Sequence, residues 1–318
     1  MPELPEVETV RRGLAEFVVG ATLCDVAVLS ERTARHCPGG AAQLQARLEG
    51  RTIVQARRRG KFMWFPLLPA GDDWGVVTPG WRPDEALVVH LGMSGQMLIK
   101  QGPAAQVQEH PHVRARARLR YDKAGADGDR GAEAPRPWVG ERQLWFVDQR
   151  TFGYWRLSSI DPDDAAGVPD ALRHIAVDLL DPAVDLPAVA GRLKASHREI
   201  KTLLLGQEIV SGIGNIYADE MLWEAAIHPR QRAHRLSTSR LLALLQAGQE
   251  VMSRAIAVGG TSFDDLYVNV NGQSGYFDRS LHAYGQVDRP CERCGAALVK
   301  EVVGGRSSHF CPQCQRRH

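Results

Sequence analysis

Cys291-Glu292-Arg293-Cys294 and Cys311-Pro312-Gln313-Cys314 repeat one pattern, a cysteine pair two residues apart, with sixteen residues between the pairs. That spacing fits a tetrahedral zinc site of four thiolates carried on a hairpin. Four sulfur ligands close the coordination sphere, so the metal they imply is structural and not the seat of chemistry. Gly304-Gly305 supplies the hairpin turn and presents Arg306, while Arg293, Lys300, Arg316 and Arg317 add positive charge. A small basic zinc hairpin suits contact with nucleic acid, with protein contact as the alternative.

Upstream of the hairpin the chain is helical. Leu186–Leu205, Ile216–Ala226 and Thr238–Val258 carry apolar residues at helical spacing, and Gly259-Gly260 closes the last. Residues 261–285 are polar and Gly-rich and suit a long loop. Ser211-Gly212-Ile213-Gly214-Asn215 falls between two helices. Its glycines let successive N–H groups form an anion nest at the start of the next helix. Asn215 can cap that helix and donate to a phosphate. The neighbouring His197, Arg198 and Lys201 favour phosphate over a plain inter-helix turn. Residues 158–190 are acidic and punctuated by proline (Asp161-Pro162, Asp181-Pro182), which reads as a hinge holding a short helix.

Before that hinge the texture is β. Val7, Val10, Leu14 and Phe17 give one leading helix over residues 5–19, ended by Gly20. Short apolar runs follow at Leu23–Leu29, Thr52–Ala56, Phe62–Leu67, Ala86–Leu91, Gln96–Lys100, Ala115–Tyr121 and Gln143–Val147. Short strands with frequent turns predict a sandwich or barrel. Pro69–Glu85 and Asp122–Arg142 read as loop insertions. Lys61 follows Arg57-Arg58-Arg59-Gly60 and precedes an apolar strand, a position that can draw it into a cleft. His90-Leu91-Gly92-Met93-Ser94-Gly95 and Asp148-Gln149-Arg150-Thr151-Phe152-Gly153 are Gly-bounded turns. A methionine in the first is ordinarily core; at a loop tip it is a flexible wedge between bases. An arginine with a phenylalanine in the second suits stacking and hydrogen bonding to an orphaned base.

With 318 residues the chain is long enough for two or three domains, and 44% hydrophobic content excludes a disordered chain. A net charge of +2 does not announce a nucleic-acid binder, so local patches must carry that reading. No apolar run is long enough to span a bilayer, and residues near the start are acidic without an apolar signal core, which leads us to expect a cytoplasmic protein. Cys24 and Cys37 are expected to be reduced thiols.

Met1-Pro2-Glu3-Leu4-Pro5-Glu6 holds the candidate chemistry. Removal of Met1 would leave Pro2 with a free secondary amine in a rigid ring. Such an amine is partly neutral near pH 7 and can attack a sugar C1′ or a carbonyl to form an iminium. Glu3 and Glu6 are placed to give and take protons around it. The plainer reading is a helix start, with Pro5 in the first turn and acids near the positive end of the dipole.

The PELPEVET start, the HLGMSG turn, GIGNIYADE and the four-cysteine array stand in the order seen in bacterial formamidopyrimidine-DNA glycosylases, and the chain resembles that family over nearly its whole length. Leu4-Pro5-Glu6 favours this branch over the related endonuclease VIII branch. The resemblance implies an α+β multidomain protein. Residues 1–160 would be a catalytic β-sandwich with a leading helix, and 161–185 a hinge. Residues 186–285 would be a helix-two-turn-helix domain and 286–318 a zinc finger, with DNA in the cleft between the halves. It implies excision of oxidised purines and then cutting at the abasic site. Pro2 would be the nucleophile, Glu3 the proton donor to the sugar, and Glu6 its support. Lys61 would serve β-elimination and Arg306 δ-elimination. Met93, Arg150 and Phe152 would fill the void left by the lesion. His110, Arg150, His197, Lys201 and Asn215 would hold the backbone. Cys291, Cys294, Cys311 and Cys314 would bind one structural zinc, with no redox or nucleotide cofactor. The partner would be damaged double-stranded DNA, bound by a monomer at the bacterial nucleoid, and residues 261–280 would close over the base. Thr151 and Gln273 depart from the family, which often has basic residues there. Action on oxidised pyrimidines, or DNA binding without catalysis, are the alternatives.

Overall fold

A computed structural model of the chain describes residues 2–72, 77, 81–102, 110–121, 141–260 and 280–317. The chain divides into two compact units. The described residues between 7 and 173 make the body of the first. Residues 174–260 and 280–317 make the body of the second, which also takes in Glu3–Glu6.

The first unit is a helix followed by antiparallel strands. Helix α1 (Leu4–Val18) has Pro5 in its first turn, where a missing N–H costs nothing. Its Val7, Val10, Leu14 and Phe17 are buried, as the spacing predicts. The strands are β1 (Ala21–Val28), β2 (Thr52–Ile53), β3 (Arg57–Arg59), β4 (Phe62–Leu68), β5 (Glu85–His90), β6 (Gly95–Gln101), β7 (Val113–Tyr121), β8 (Arg142–Asp148) and β9 (Tyr154–Ser159). They hydrogen-bond in the order β6-β8-β7-β1-β2-β4-β5-β9, with β3 beside β4. Phe146 of β8 and Trp155 of β9, from opposite halves of that order, have ring centroids 6.0 Å apart. The sheet therefore folds back on itself as a sandwich. Along β7, Ala115, Ala117 and Leu119 point inward, while Arg114, Arg116 and Arg118 alternate with them.

Three elements lie outside the sequence expectations. Helix α2 (Gly40–Leu48) buries Ala41, Leu44 and Leu48 after a Gly-Gly pair that reads as a turn. Strands β3 and β9 were also not anticipated, and the strand expected at 52–56 stops at Ile53.

The second unit packs α3 (Leu186–Lys194), α4 (Ile200–Leu205), α5 (Asn215–Glu224) and α6 (Thr238–Ala257) against the hairpin β10 (Val299–Val303) and β11 (Arg306–Phe310). The single helix expected over 186–205 is two. Glu199 is extended and bridges Arg232, and the Lys194 ammonium donates to the carbonyls of His234 and Leu236, which ends the first helix. Helix α5 is buried on every side from Asn215 to Trp223, acids included. Glu220 accepts the N–H groups of His282, Ala283 and Tyr284, and Asp219 accepts from Ser308 and from the His309 backbone. Those bonds tie the hairpin segment to the helices. Among the described residues no helix is long and apolar enough to cross a membrane.

Candidate active site and nucleic-acid contacts

In the second unit the start of α5 is built around Glu3. One carboxylate oxygen accepts from Ile216 N at 3.0 Å, and the other from Gly214 N at 2.8 Å and Tyr217 N at 3.3 Å. Glu3 is only 3% exposed. The anion nest predicted at Ser211–Asn215 exists, but the anion is the protein's own. The N–H of Gly212 is also taken, by the Gln207 side chain at 2.8 Å. The expectation that this turn's backbone binds an outside phosphate is corrected on that ground. A Cβ on Gly214 would sit 2.2 Å from the Glu3 carboxyl carbon, so no larger residue admits Glu3. Glu6 accepts from the Glu3 backbone N–H at 2.9 Å and from the Tyr217 hydroxyl at 2.6 Å. Pro2 is buried in the chain that carries Met1, where its nitrogen is a peptide nitrogen.

Around this centre stand Asn215, Lys201, Tyr284 and Arg306. Asn215 is 8% exposed, and its Oδ1 has no hydrogen-bond partner among the described residues. Burial pushes the Tyr284 phenol up, against a hydrogen bond from Asn215, with Glu3, Asp219 and Arg306 all close enough to act on it. Lys201 was expected to hold the DNA backbone. Its side chain is fully buried, bonded to Asp219 at 2.6 Å and to the Ser307 carbonyl at 2.8 Å. It braces α4 and α5 against the hairpin. Burial lowers its pKa, against Asp219 and Glu3, with Arg306 adding to the drop. Arg306 is exposed at the first position of β11, and His197 is exposed with its ring 4.3 Å from His234.

In the first unit, Lys61 is 8% exposed, between β3 and β4. Next to it is His90, which the sequence reading quoted in HLGMSG but gave no role. Burial first, then the charges of Lys61, Arg35 and His36, push the His90 imidazole down to about 4, so it is neutral near pH 7. Its Nδ1 accepts from Gly92 N at 3.2 Å, which leaves the proton on Nε2. Phe62 and Tyr154 pack on its ring at 4.7 and 5.5 Å. Met93 is 38% and Phe152 46% exposed, and Arg150 is exposed as well. His110 is exposed, its ring 5.7 Å from His112. Gln273 and all but residue 280 of the expected lid lie outside the described residues, as do 73–76 and 78–80 of the first insertion and 122–140 of the second.

At the hairpin the ligand sulfurs of Cys291, Cys294, Cys311 and Cys314 lie within 4.8 Å of one another. Zinc–thiolate bonds of about 2.3 Å in a tetrahedron need sulfurs roughly 3.8 Å apart, so the four fit zinc. Arg293 stacks on Trp223 at 3.7 Å and His282 on the same ring at 4.5 Å, beside the cysteines.

Comparison with known proteins gives the family. Residues 1–155 match the formamidopyrimidine-DNA glycosylase N-terminal domain, 175–266 the H2TH domain of the same enzymes, and 289–317 the zinc finger found in FPG and IleRS. The formamidopyrimidine-DNA glycosylase of Corynebacterium efficiens is 54% identical over 99% of both chains. A Lactococcus lactis FPG mutant solved with Fapy-dG-containing DNA superimposes with a TM-score of 0.79, at 31% identity over 99% of this chain and 100% of that one. Lactococcus lactis Fpg bound to abasic-site DNA gives 0.77 at the same identity and coverage. The chain belongs to the formamidopyrimidine-DNA glycosylase family.

Proposed function

We propose that this chain excises oxidised purines, 8-oxoguanine and formamidopyrimidines, from duplex DNA and then cuts the strand at the resulting abasic site. The observation that carries the reading is the locked Glu3 carboxylate, held by three backbone N–H groups and joined directly to Pro2. Once Met1 is removed, the Pro2 amine attacks C1′ of the flipped nucleotide. The bond from C1′ to the base breaks, its electron pair leaves with the base, and the proton shed by the Pro2 nitrogen neutralises that base. Glu3 delivers a proton to the sugar ring oxygen, the ring opens, and the carbon held by Pro2 becomes an iminium. The iminium acidifies C2′–H. Proton loss there expels the 3′ phosphate, a step we assign to Lys61, and a second elimination expels the 5′ phosphate, which we assign to Arg306. Glu6 and Tyr217 hold Glu3 in register.

Met93, Arg150 and Phe152 fill the space of the extruded nucleotide and offset part of the few kcal/mol of lost stacking. His110, Arg150, His197 and Asn215 hold phosphates. Zinc on the four cysteines is structural and supplies no step. We assign 1–160 to catalysis, 161–185 to a hinge, 186–285 to DNA binding and 286–318 to the zinc finger. The protein acts as a monomer on nucleoid DNA in the cytoplasm, which sedimentation with and without duplex checks.

Borohydride reduction during reaction with an 8-oxoguanine duplex should leave protein covalently joined to DNA. Pro2→Gly should trap far less, because the ring-held secondary amine is gone. A chain that keeps Met1 should trap nothing. Failure of the processed protein to trap on any lesion overturns the enzyme reading, and faster excision of thymine glycol would move the substrate to oxidised pyrimidines.

A further inference from the structure

We propose that Asp148 and Arg35 are positioning residues that lock the Met93 turn and the Arg150–Phe152 turn into one rigid wedge. The proposal rests on the wedge role just assigned to Met93 and Phe152. Asp148 is fully buried at the end of β8. One of its oxygens accepts from the Ser94 hydroxyl at 2.6 Å and from Arg150 N at 3.2 Å, and the other accepts from Gly153 N at 2.7 Å. Ser94 Oγ also accepts from Arg150 N at 3.0 Å. A single carboxylate thus holds the residue after Met93 and the residues on both flanks of Phe152. Arg35 works from the other side. Its guanidinium donates to the Phe152 and Gly153 carbonyls, each at 2.7 Å, and lies 4.8 Å over the Tyr154 ring.

Two further observations show how tightly the turns are set. A Cβ on Gly92 would meet Gly153 N and the Phe152 carbonyl carbon at 2.5 Å, so the turns touch backbone to backbone. Thr151 sits at φ 55, a left-handed conformation that β-branched residues avoid. Such strain persists only where the surroundings over-determine it, and here Asp148 and Arg35 grip residues on both sides of Thr151. Phe152 can then stay exposed without collapsing onto the surface. A wedge that is already rigid loses little conformational freedom on insertion, so more of its contact energy goes into holding the gap open.

The test compares excision of 8-oxoguanine paired with cytosine against the same lesion opposite an abasic gap, where little pairing is lost on extrusion. Arg35→Ala and Ser94→Ala should lower single-turnover excision from the paired duplex by about tenfold while changing the gapped substrate less than about threefold. Arg35→Lys should fail to rescue, since lysine lacks the two-pronged donor. Arg35 is exposed, so its variants keep the fold even if an Asp148→Asn protein does not. Phe152→Ala is the control. If it shows the paired-substrate loss and the Arg35 variants do not, or lose both substrates equally, the positioning proposal falls and the wedge reading stands. If Phe152→Ala shows no selective loss, the wedge reading falls and takes the proposal with it.

Discussion

Glu3 and Glu8 lie five residues apart at the start of the same helix and are held in opposite ways. Glu3 is held by three backbone N–H groups at the start of α5. Glu8 is held by charge: Arg11 at 2.9 Å, Arg12 at 2.8 Å and Arg58 at 3.0 Å. Backbone dipoles fix a carboxylate's place and direction without neutralising it. Three guanidinium groups neutralise it and turn it into a fastener. Both arrangements favour the ionised form, the first through oriented backbone N–H groups and the second through charge. Position along the helix does not separate the two, whereas the chemistry of the donors does.

The largest expected effect breaks the first arrangement and spares the second. In Gly214→Ala the backbone, at φ −120, accepts the new residue, but its Cβ would fall on the Glu3 carboxyl. Glu3 must leave its seat. Single-turnover excision should fall by about 10²- to 10⁴-fold, the usual worth of a positioned acid, with thermal stability little changed. Activity within a few-fold of the parent would show that the seat is dispensable.

Glu8→Gln should do the reverse. It removes the negative charge that Arg11, Arg12 and Arg58 share and should cost roughly 2–3 kcal/mol of stability, while excision well below the melting temperature stays within a few-fold. The same network sets an acid limit. Burial pushes the Glu8 carboxyl up, but Arg11, Arg58 and Arg12 outweigh it and bring it down to about 2 from 4.5. A depressed carboxylate stabilises fully above its unfolded value, and that contribution is lost as pH falls from 4.5 through 2. Urea unfolding at pH 6 and pH 3 should show a drop in the parent that is smaller in Glu8→Gln.

How much of this was legible in the sequence depended on whether the signal was local. The cysteine spacing reports its own geometry, and the leading helix and most strands follow from apolar periodicity. Helix α2 was missed because it is short and offers only Ala41, Leu44 and Leu48 as its apolar face. The nest at Gly212–Asn215 was legible as an anion site, yet backbone N–H groups do not say whose anion they bind. The answer, Glu3, lies 211 residues from Gly214. His90 was visible in HLGMSG, but its neutrality comes from burial and the neighbouring charge of Lys61, which only packing supplies. Lys201 shows the same limit. A lysine beside a histidine and an arginine looks like a phosphate ligand until Asp219, eighteen residues on, is found 2.6 Å away.

The smallest effect sharpens the contrast on the basic side of the second unit. Each phosphate that a protein neutralises adds about 0.9 to the slope of log affinity against log salt. Arg306, exposed on β11, should contribute one such contact, so Arg306→Ala should reduce the slope by about 1. Lys201 is already neutralised by Asp219 and buried. Lys201→Met should therefore leave the slope unchanged, even if the hairpin becomes less stable as Asp219 keeps only Ser308 and His309. Equal drops in slope for the two variants would mean that Lys201 leaves Asp219 when DNA arrives. The buried pair would then be a latch that binding opens, and no longer a fixed brace.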